Sequence, residues 1–358
     1  MGMSLYIGLM SGTSMDGIDA VLVDFEHPAP KLLATHLEPL PDKLCEGLHL
    51  LCQPGSDSLD AVMSMSLAFA KASAKACRAL LKKAAISPDQ VVAIGSHGQT
   101  IRHRPQWGFS VQIGDAATLA VETDIDVVSN FRMKDLALGG QGAPLVPAFH
   151  KEVLKSDAVL NIGGIANVTF LGDSVCGFDT GPGNTLMDAW MRRHQGQSFD
   201  KDGAFAATGK VLPELLEKLL TEPYFSQPWP KSTGRELFHL DWLDGFLTGK
   251  EAPADVQATL LQLTAESVAL HLKALAVTGR VAVCGGGAQN PVLMQALKAK
   301  LPALDWTTTD QQGIPGDWLE AMAFAWLARR FVKGLPGNLP QATGAARPAI
   351  LGQLTKAL

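Results

Sequence analysis

Asp179 stands in the stretch Gly177-Phe178-Asp179-Thr180-Gly181-Pro182-Gly183-Asn184. A carboxylate at the C-terminal end of a predicted strand, in a loop whose glycines let a ligand approach, is placed for general-base work. The alternative is that it caps the turn or the helix that follows. Two glycine-rich turns each close a predicted hairpin: Ser11-Gly12-Thr13-Ser14-Met15-Asp16-Gly17, and Gly163-Gly164. Small residues allow backbone N–H groups to converge on a phosphate oxygen. In the first turn Thr13 and Ser14 add hydroxyl donors, and Asp16 and Asp19 can hold Mg²⁺ through water. A third turn, Gly285-Gly286-Gly287, follows a predicted strand and precedes a helix, the usual placement for a nucleotide at a helix N-terminus. Each turn also has a plain reading, as a hairpin or a strand-to-helix connection.

Other polar residues sit at the ends of predicted elements. Ser96-His97-Gly98-Gln99-Thr100 ends a strand, and His97 can bind a substrate hydroxyl or hydrogen-bond a loop carbonyl. Arg132 follows another strand and can grip a carboxylate bidentately or form a surface salt bridge. Glu320 lies in the first turn of an otherwise apolar helix, where pairing with the helix dipole accounts for it as well as catalysis does. Lys231 to Glu236 is a polar, cationic loop, and Asn167-Val168-Thr169 is an accidental glycosylation match on a strand. No G-x-x-x-x-G-K-[ST] occurs, nor does a G-x-G-x-x-G in the right place after a strand. A P-loop NTPase and a dinucleotide-dependent enzyme are thus poorly supported. Paired hairpin turns suggest instead a nucleotide clamped between duplicated domains.

The elements that must carry these residues are legible as short strands interleaved with helices. Strands are predicted at Leu5 to Met10, Ile18 to Phe25, Leu32 to Leu37, Val91 to Gly95, Phe109 to Ile113 and Asp126 to Ser129. Helical periodicity covers Asp42 to Cys52 and Leu59 to Ala85, the second with Phe69, Ala70, Ser73 and Cys77 on one face. After the loop from Leu138 to Pro144 the plan starts again, with strands at Val159 to Ile162, Ala166 to Leu171 and a third ending at Thr180. Helices follow at Thr185 to Arg193, Pro213 to Leu220, Asp241 to Leu247 and Ala254 to Leu275. A strand at Arg280 to Cys284 and helices at Pro291 to Lys300 and Trp318 to Phe331 complete it. The pattern predicts an α/β protein with two halves alike in plan.

The chain has 358 residues, about twice an ordinary domain. Apolar residues make up 47% and charged ones 18%, against roughly 25% charged in an average globular chain, which excludes a disordered protein. A net charge of -5 gives no general attraction for nucleic acid or anionic membranes. Five scattered cysteines without a C-x-x-C pair disfavour a disulfide framework or zinc cluster. The N-terminus lacks the basic region of a secretory signal, and no apolar run is long enough to span a bilayer. A cytoplasmic protein is expected.

Taken in order, the motifs around Gly8 to Gly17, Gly95 to Thr100, Gly139 to Pro147, Asn161 to Gly164, Gly177 to Asn184, Lys231 to Glu236 and Cys284 to Gly287 closely resemble the anhydro-N-acetylmuramic acid kinase family of the actin, hexokinase and heat-shock chaperone ATPase superfamily. The resemblance covers nearly the whole chain. It implies a duplicated actin-like (ribonuclease H-like) α/β fold with ATP between two domains. These are expected at 1–145 and 146–358, the last helix packing back on the first. It further implies that Gly12, Thr13, Ser14, Met15, Asp16, Gly17, Ile18 and Asp19 hold phosphates, with Gly163, Gly164, Gly285, Gly286 and Gly287 completing the ATP site. Asp179 becomes the catalytic base, with His97, Arg132, Thr180 and Glu320 as sugar contacts and Asp16 as a Mg²⁺ ligand.

The implied reaction is ring opening and phosphorylation of 1,6-anhydro-N-acetylmuramic acid in peptidoglycan recycling. Rival expectations are a kinase of an ordinary open sugar and a nonenzymatic nucleotide-switched module. Apolar positions such as Leu260, Leu261, Leu263 and Val268 leave room for a homodimer interface as well as for core.

Overall fold

The computed structural model describes residues 4–358 except 13, 14, 16, 28, 54, 230, 235 and 236. Two compact units emerge: one joins Met1–Val153 to Trp318–Leu358, and the other is Leu154–Asp317. This differs from the expected division after residue 145.

The chain opens on β1 (Leu5–Met10), β2 (Gly17–Asp24) and β3 (Lys31–Pro39), followed by α1 (Asp42–Cys52) and α2 (Leu59–Ala84). Ser58 caps α2 by accepting from the Ala61 N–H, and Ala85 ends it in the left-handed conformation. Next come β4 (Val91–Ser96), β5 (Gln99–Arg104), β6 (Phe109–Ile113), α3 (Ala116–Thr123), β7 (Val127–Ser129), α4 (Met133–Ala137) and α5 (Val146–Val153). The second unit runs β8 (Ala158–Ile162), β9 (Ile165–Phe170), β10 (Cys176–Pro182), α6 (Thr185–Gln195), α7 (Pro213–Leu220), α8 (Pro223–Ser226), α9 (Leu240–Asp244), α10 (Pro253–Ala274), β11 (Arg280–Cys284), α11 (Pro291–Lys300) and β12 (Asp305–Thr308). The chain then returns to the first unit with α12 (Leu319–Val332), α13 (Pro340–Thr343) and β13 (Gln353–Thr355).

Sheet order explains the repetition seen in the sequence. In the first unit it is β13-β7-β4-β1-β2-β3, and in the second β12-β11-β8-β9-β10. Without β13 the two agree strand for strand, including direction: β4 lies parallel to β1 and β7, as β11 does to β8 and β12. The hairpin pairs β1/β2 and β8/β9 are antiparallel, as are β2/β3 and β9/β10.

Pleat alternation decides what covers β1 in the first unit. Ile7 and Leu9 join the core with Phe69, Cys77 and Leu80 of α2. Gly8, between them, faces the other way, where a Cβ would run into the Ala321 carbonyl of α12, and Gly95 of β4 meets the Phe324 carbonyl likewise. These glycines let the helix backbone lie directly on the strands, which is why α12 belongs to the first unit. In the second unit α10 is buried along most of its length. Leu260, Leu261, Leu263 and Val268 are all core residues, at most 4% exposed. They are therefore unavailable as the dimer surface that their apolar character suggested.

Candidate active site

Within the first unit, the hairpin between β1 and β2 is pinned from several sides. The Ser11 hydroxyl donates to the Gly17 carbonyl at 2.9 Å, and the Gln99 side-chain amide donates to the Gly12 carbonyl at 3.3 Å. Met15 holds a positive φ of 57° and donates its N–H to the Gly12 carbonyl. Gly17 opens β2 opposite Pro39, where a Cβ would press on Leu37, and Ile18 is 1% exposed. Both side positions serve packing, so only their backbone remains for a ligand. Asp19 lies within β2, opposite Met10 and Leu37. Thr13, Ser14 and Asp16, expected to donate to phosphate and to hold Mg²⁺, lie outside the described residues.

His97, Arg132 and Glu320 come together in the same unit although distant in sequence. Arg132 Nη1 donates to the Gly142 carbonyl at 2.8 Å, and Nη2 meets His97 Nε2 at 2.9 Å. Because guanidinium only donates, Nε2 of His97 must accept, which leaves the ring neutral with its hydrogen on Nδ1. Burial, then the Arg132 charge, lowers the His97 pKa to about 3. Dense surroundings lower the Arg132 pKa to about 10, and the Glu320 charge acts in the opposite sense. The Glu320 side chain reaches solvent, yet crowding by protein atoms raises its pKa, with Arg132 pulling it down. Each Arg132 terminal nitrogen keeps a second hydrogen for an anionic ligand.

Asp135, fully buried, fixes the loop that gives Arg132 its partner. Its carboxylate accepts from the Gly142 N–H at 2.8 Å and from Asn338 and Thr343 at 2.7 Å each. The 138–144 loop, which the sequence suggested as a domain boundary, is instead fastened inside one unit.

In the second unit, three glycine turns gather at one end of β8 and β11. A Cβ on Gly183 would strike the Gly163 carbonyl, one on Gly285 the Asn161 side chain, and one on Gly287 the Ile162 side chain. Those glycines answer to packing. Gly163 and Gly286 do not, since a Cβ added there would find its nearest neighbour only at 3.6 and 3.8 Å respectively. Gly164 and Gly286 are exposed. The room beside Gly163 and Gly286 suits close backbone approach by a phosphate chain.

Asp179 sits half-buried on β10. The Thr233 N–H donates to its Oδ2 at 2.9 Å, the Tyr224 hydroxyl donates to its main-chain carbonyl at 2.8 Å, and its own N–H reaches the Lys231 carbonyl at 3.3 Å. Thr180, expected to touch the sugar, requires a correction. Its side chain is 0% exposed and its hydroxyl donates to the Ala166 carbonyl at 3.1 Å, tying β10 to β9.

Residues 4–357 match the family model described as anhydro-N-acetylmuramic acid kinase. The chain belongs to this family. Its relatives include the anhydro-N-acetylmuramic acid kinase of Shewanella amazonensis, 55% identical over 98% of each chain, and that of Shewanella oneidensis, 53% identical over the same share. Among solved structures, the (R)-2-hydroxyglutaryl-CoA dehydratase component A of Acidaminococcus fermentans aligns over 90% of this chain and 96% of its own, at 12% identity and a TM-score of 0.48. That likeness is too loose to bear an argument.

For this member of the anhydro-N-acetylmuramic acid kinase family, two supporting residues escaped the sequence reading. Gln99, 1% exposed, looked like part of a polar strand end, yet it starts β5 and reaches the first glycine turn. Tyr224 gave no motif, although the chain has only two tyrosines and this one is 4% exposed, a signal that its hydroxyl needs a buried partner.

Proposed function

We propose that this chain uses ATP to phosphorylate O6 of 1,6-anhydro-N-acetylmuramic acid while water opens the anhydro ring, giving N-acetylmuramic acid 6-phosphate and ADP. The observation that carries this reading is the family match over residues 4–357. In it, Asp179 takes a proton from the water that attacks C1. As the C1–O6 bond breaks, O6 leaves with the electron pair and is captured by the γ-phosphoryl group of ATP. A separate acid for the leaving oxygen, which ordinary inverting glycosidases need, is then unnecessary. The Thr233 N–H on Oδ2 supports this role, because it orients the carboxylate from one side.

The glycine turns at Gly12 to Asp19, at Gly163-Gly164 and at Gly285 to Gly287 are assigned to the ATP phosphates. The space beside Gly163 and Gly286 supports that assignment for the second unit. Mg²⁺ is assigned as the companion of the ATP phosphates, whose charge it would neutralise, with Asp16 as its protein ligand. Arg132, held by His97 and countered by Glu320, is assigned to the carboxylate of the sugar's lactyl group, a planar anion that a guanidinium fits. No helix among the described residues is long and apolar enough to cross a membrane, and we place the reaction in the cytoplasm, where ATP is supplied.

Asp179→Asn tests the assignment. ADP release with the anhydro sugar should fall by roughly 10² to 10⁴, the size of a general-base contribution, while both substrates still bind by calorimetry. Turnover near that of the unaltered protein removes Asp179 from the role. Comparing the anhydro sugar with free N-acetylmuramic acid separates this reaction from that of an ordinary sugar kinase.

A further inference from the structure

The β9/β10 ladder is irregular at the residue of interest. Asp179 stands opposite Asn167, and Gly181 stands opposite Ala166, so Thr180 is an extra residue between them. A bulge of this kind bends its strand, breaks the ladder locally and re-aims a side chain. β10 is the edge strand of its sheet, and the peptide groups of Asp179 also have partners outside the sheet. Both come from one segment, residues 224–233: the Tyr224 hydroxyl donates to the Asp179 carbonyl at 2.8 Å, and the Lys231 carbonyl accepts from the Asp179 N–H at 3.3 Å.

That segment is itself braced. Lys231 Nζ donates to the Tyr224 carbonyl at 2.8 Å and to the Phe225 carbonyl at 3.3 Å, and lies 4.5 Å from the centre of the Tyr224 ring. Trp229 stacks on Phe178, the residue before Asp179, with the rings 3° from parallel. Phe225 fills the space left by Gly181, where a Cβ would come within 2.8 Å of its ring. Tyr224 is 4% exposed, and burial followed by the Asp179 charge raises its pKa, so its hydroxyl stays a donor. The two consecutive aromatic residues of α8 therefore grip the bulge on both sides of Thr180.

We propose that Tyr224, braced by Lys231, is a positioning residue for Asp179: its hydroxyl holds the Asp179 carbonyl beside the bulge and so fixes the direction of the carboxylate. The proposal rests on the reading of Asp179 as the base. Removing the hydroxyl takes the Tyr224 donor from the Asp179 carbonyl and lets the bulge relax, and small displacements of a reacting group carry large rate penalties. The carboxylate keeps its charge, so substrate binding is spared.

The test uses the full chain and four proteins: unaltered, Tyr224→Phe, Asp179→Asn and the double variant, each assayed for ADP release with ATP and the anhydro sugar. Tyr224→Phe should lower kcat about ten-fold with both KM values within about two-fold of the unaltered protein. In the Asp179→Asn background the same change should alter the residual rate by less than about two-fold, because a positioning residue acts through the group it positions. Equal losses in the two backgrounds, or an unchanged kcat in Tyr224→Phe, overturn the proposal while leaving the base assignment standing. A near-normal rate in Asp179→Asn overturns the base assignment itself, and the proposal with it. Should Tyr224→Phe fail to fold, Lys231→Met, which keeps the hydroxyl and removes its brace, carries the same pair of comparisons.

Discussion

His150 offers a prediction whose size follows from its surroundings. It lies on α5, 5% exposed, and neither ring nitrogen has a hydrogen-bond partner among the described residues. Burial lowers its pKa to about 3. In the unfolded chain the same ring binds a proton near 6.5. Between those values the unfolded state holds more protons than the folded state, so stability is complete above about pH 6.5 and is lost as the pH falls. At pH 5 the unfolded state gains RT ln(1 + 10^1.5), or about 2 kcal/mol, a large share of an ordinary domain's 5–15 kcal/mol. His97, also lowered to about 3, adds a loss of the same sign in the same unit. Replacing His150 by Leu removes one of these contributions. Urea unfolding at pH 7.5 and pH 5 should show the variant losing about 2 kcal/mol less than the unaltered protein. The replacement itself should cost less than about 1.5 kcal/mol at pH 7.5, because the side chains are similar in volume and no hydrogen bond is given up. An NMR titration of the imidazole checks the cause directly. A His150 ring signal with its midpoint near 6.5, or a variant that loses as much stability as the original, refutes the reasoning.

Three further outcomes are expected. Gly95→Ala places a methyl group against the Phe324 carbonyl of α12 and should cost about 3 kcal/mol, lowering the thermal midpoint of the first unit by roughly 6–12 °C in a calorimetric scan. Gly286→Val, whose nearest neighbour would be the Asn184 amide at 3.8 Å, should leave the midpoint within about 2 °C yet raise the KM for ATP about ten-fold or more, as steady-state kinetics would show. Arg132→Lys cannot bridge the Gly142 carbonyl and His97 Nε2 together, so the KM for the sugar should rise about ten-fold while that for ATP stays within about two-fold.

Much of the architecture was legible because strands and long helices announce themselves by period. The boundaries of β1, β4, β6, α1, α7 and α11 agree with the periodicity to within a residue. The repeat of strand, glycine turn and strand was visible, and its cause is the shared five-strand order. β5 was missed because Gln99, Thr100, Arg102, His103 and Arg104 are polar, and only pairing with β6 makes them a strand. The break at 145 was misjudged since glycine and proline mark a turn without saying whether it ends a unit. Asp135, the residue that fastens that loop, draws two of its carboxylate's three partners from more than two hundred positions downstream. Asp179 itself stood out, but its supports did not: Thr233 contributes a backbone N–H, which has no residue-type signature, and Tyr224 acts across 45 positions.

The return of α12 and β13 to the first unit fixes an order for biosynthesis. A ribosome delivers Leu154–Asp317 as one uninterrupted stretch, complete when its last residue emerges. The unit begun earlier must wait, because the faces of β1 and β4 around Gly8 and Gly95 stay bare until Ala321 and Phe324 are made. The later-encoded body is therefore able to acquire its tertiary structure first, and a nascent chain halted at residue 317 would expose an uncovered sheet to chaperones and proteases.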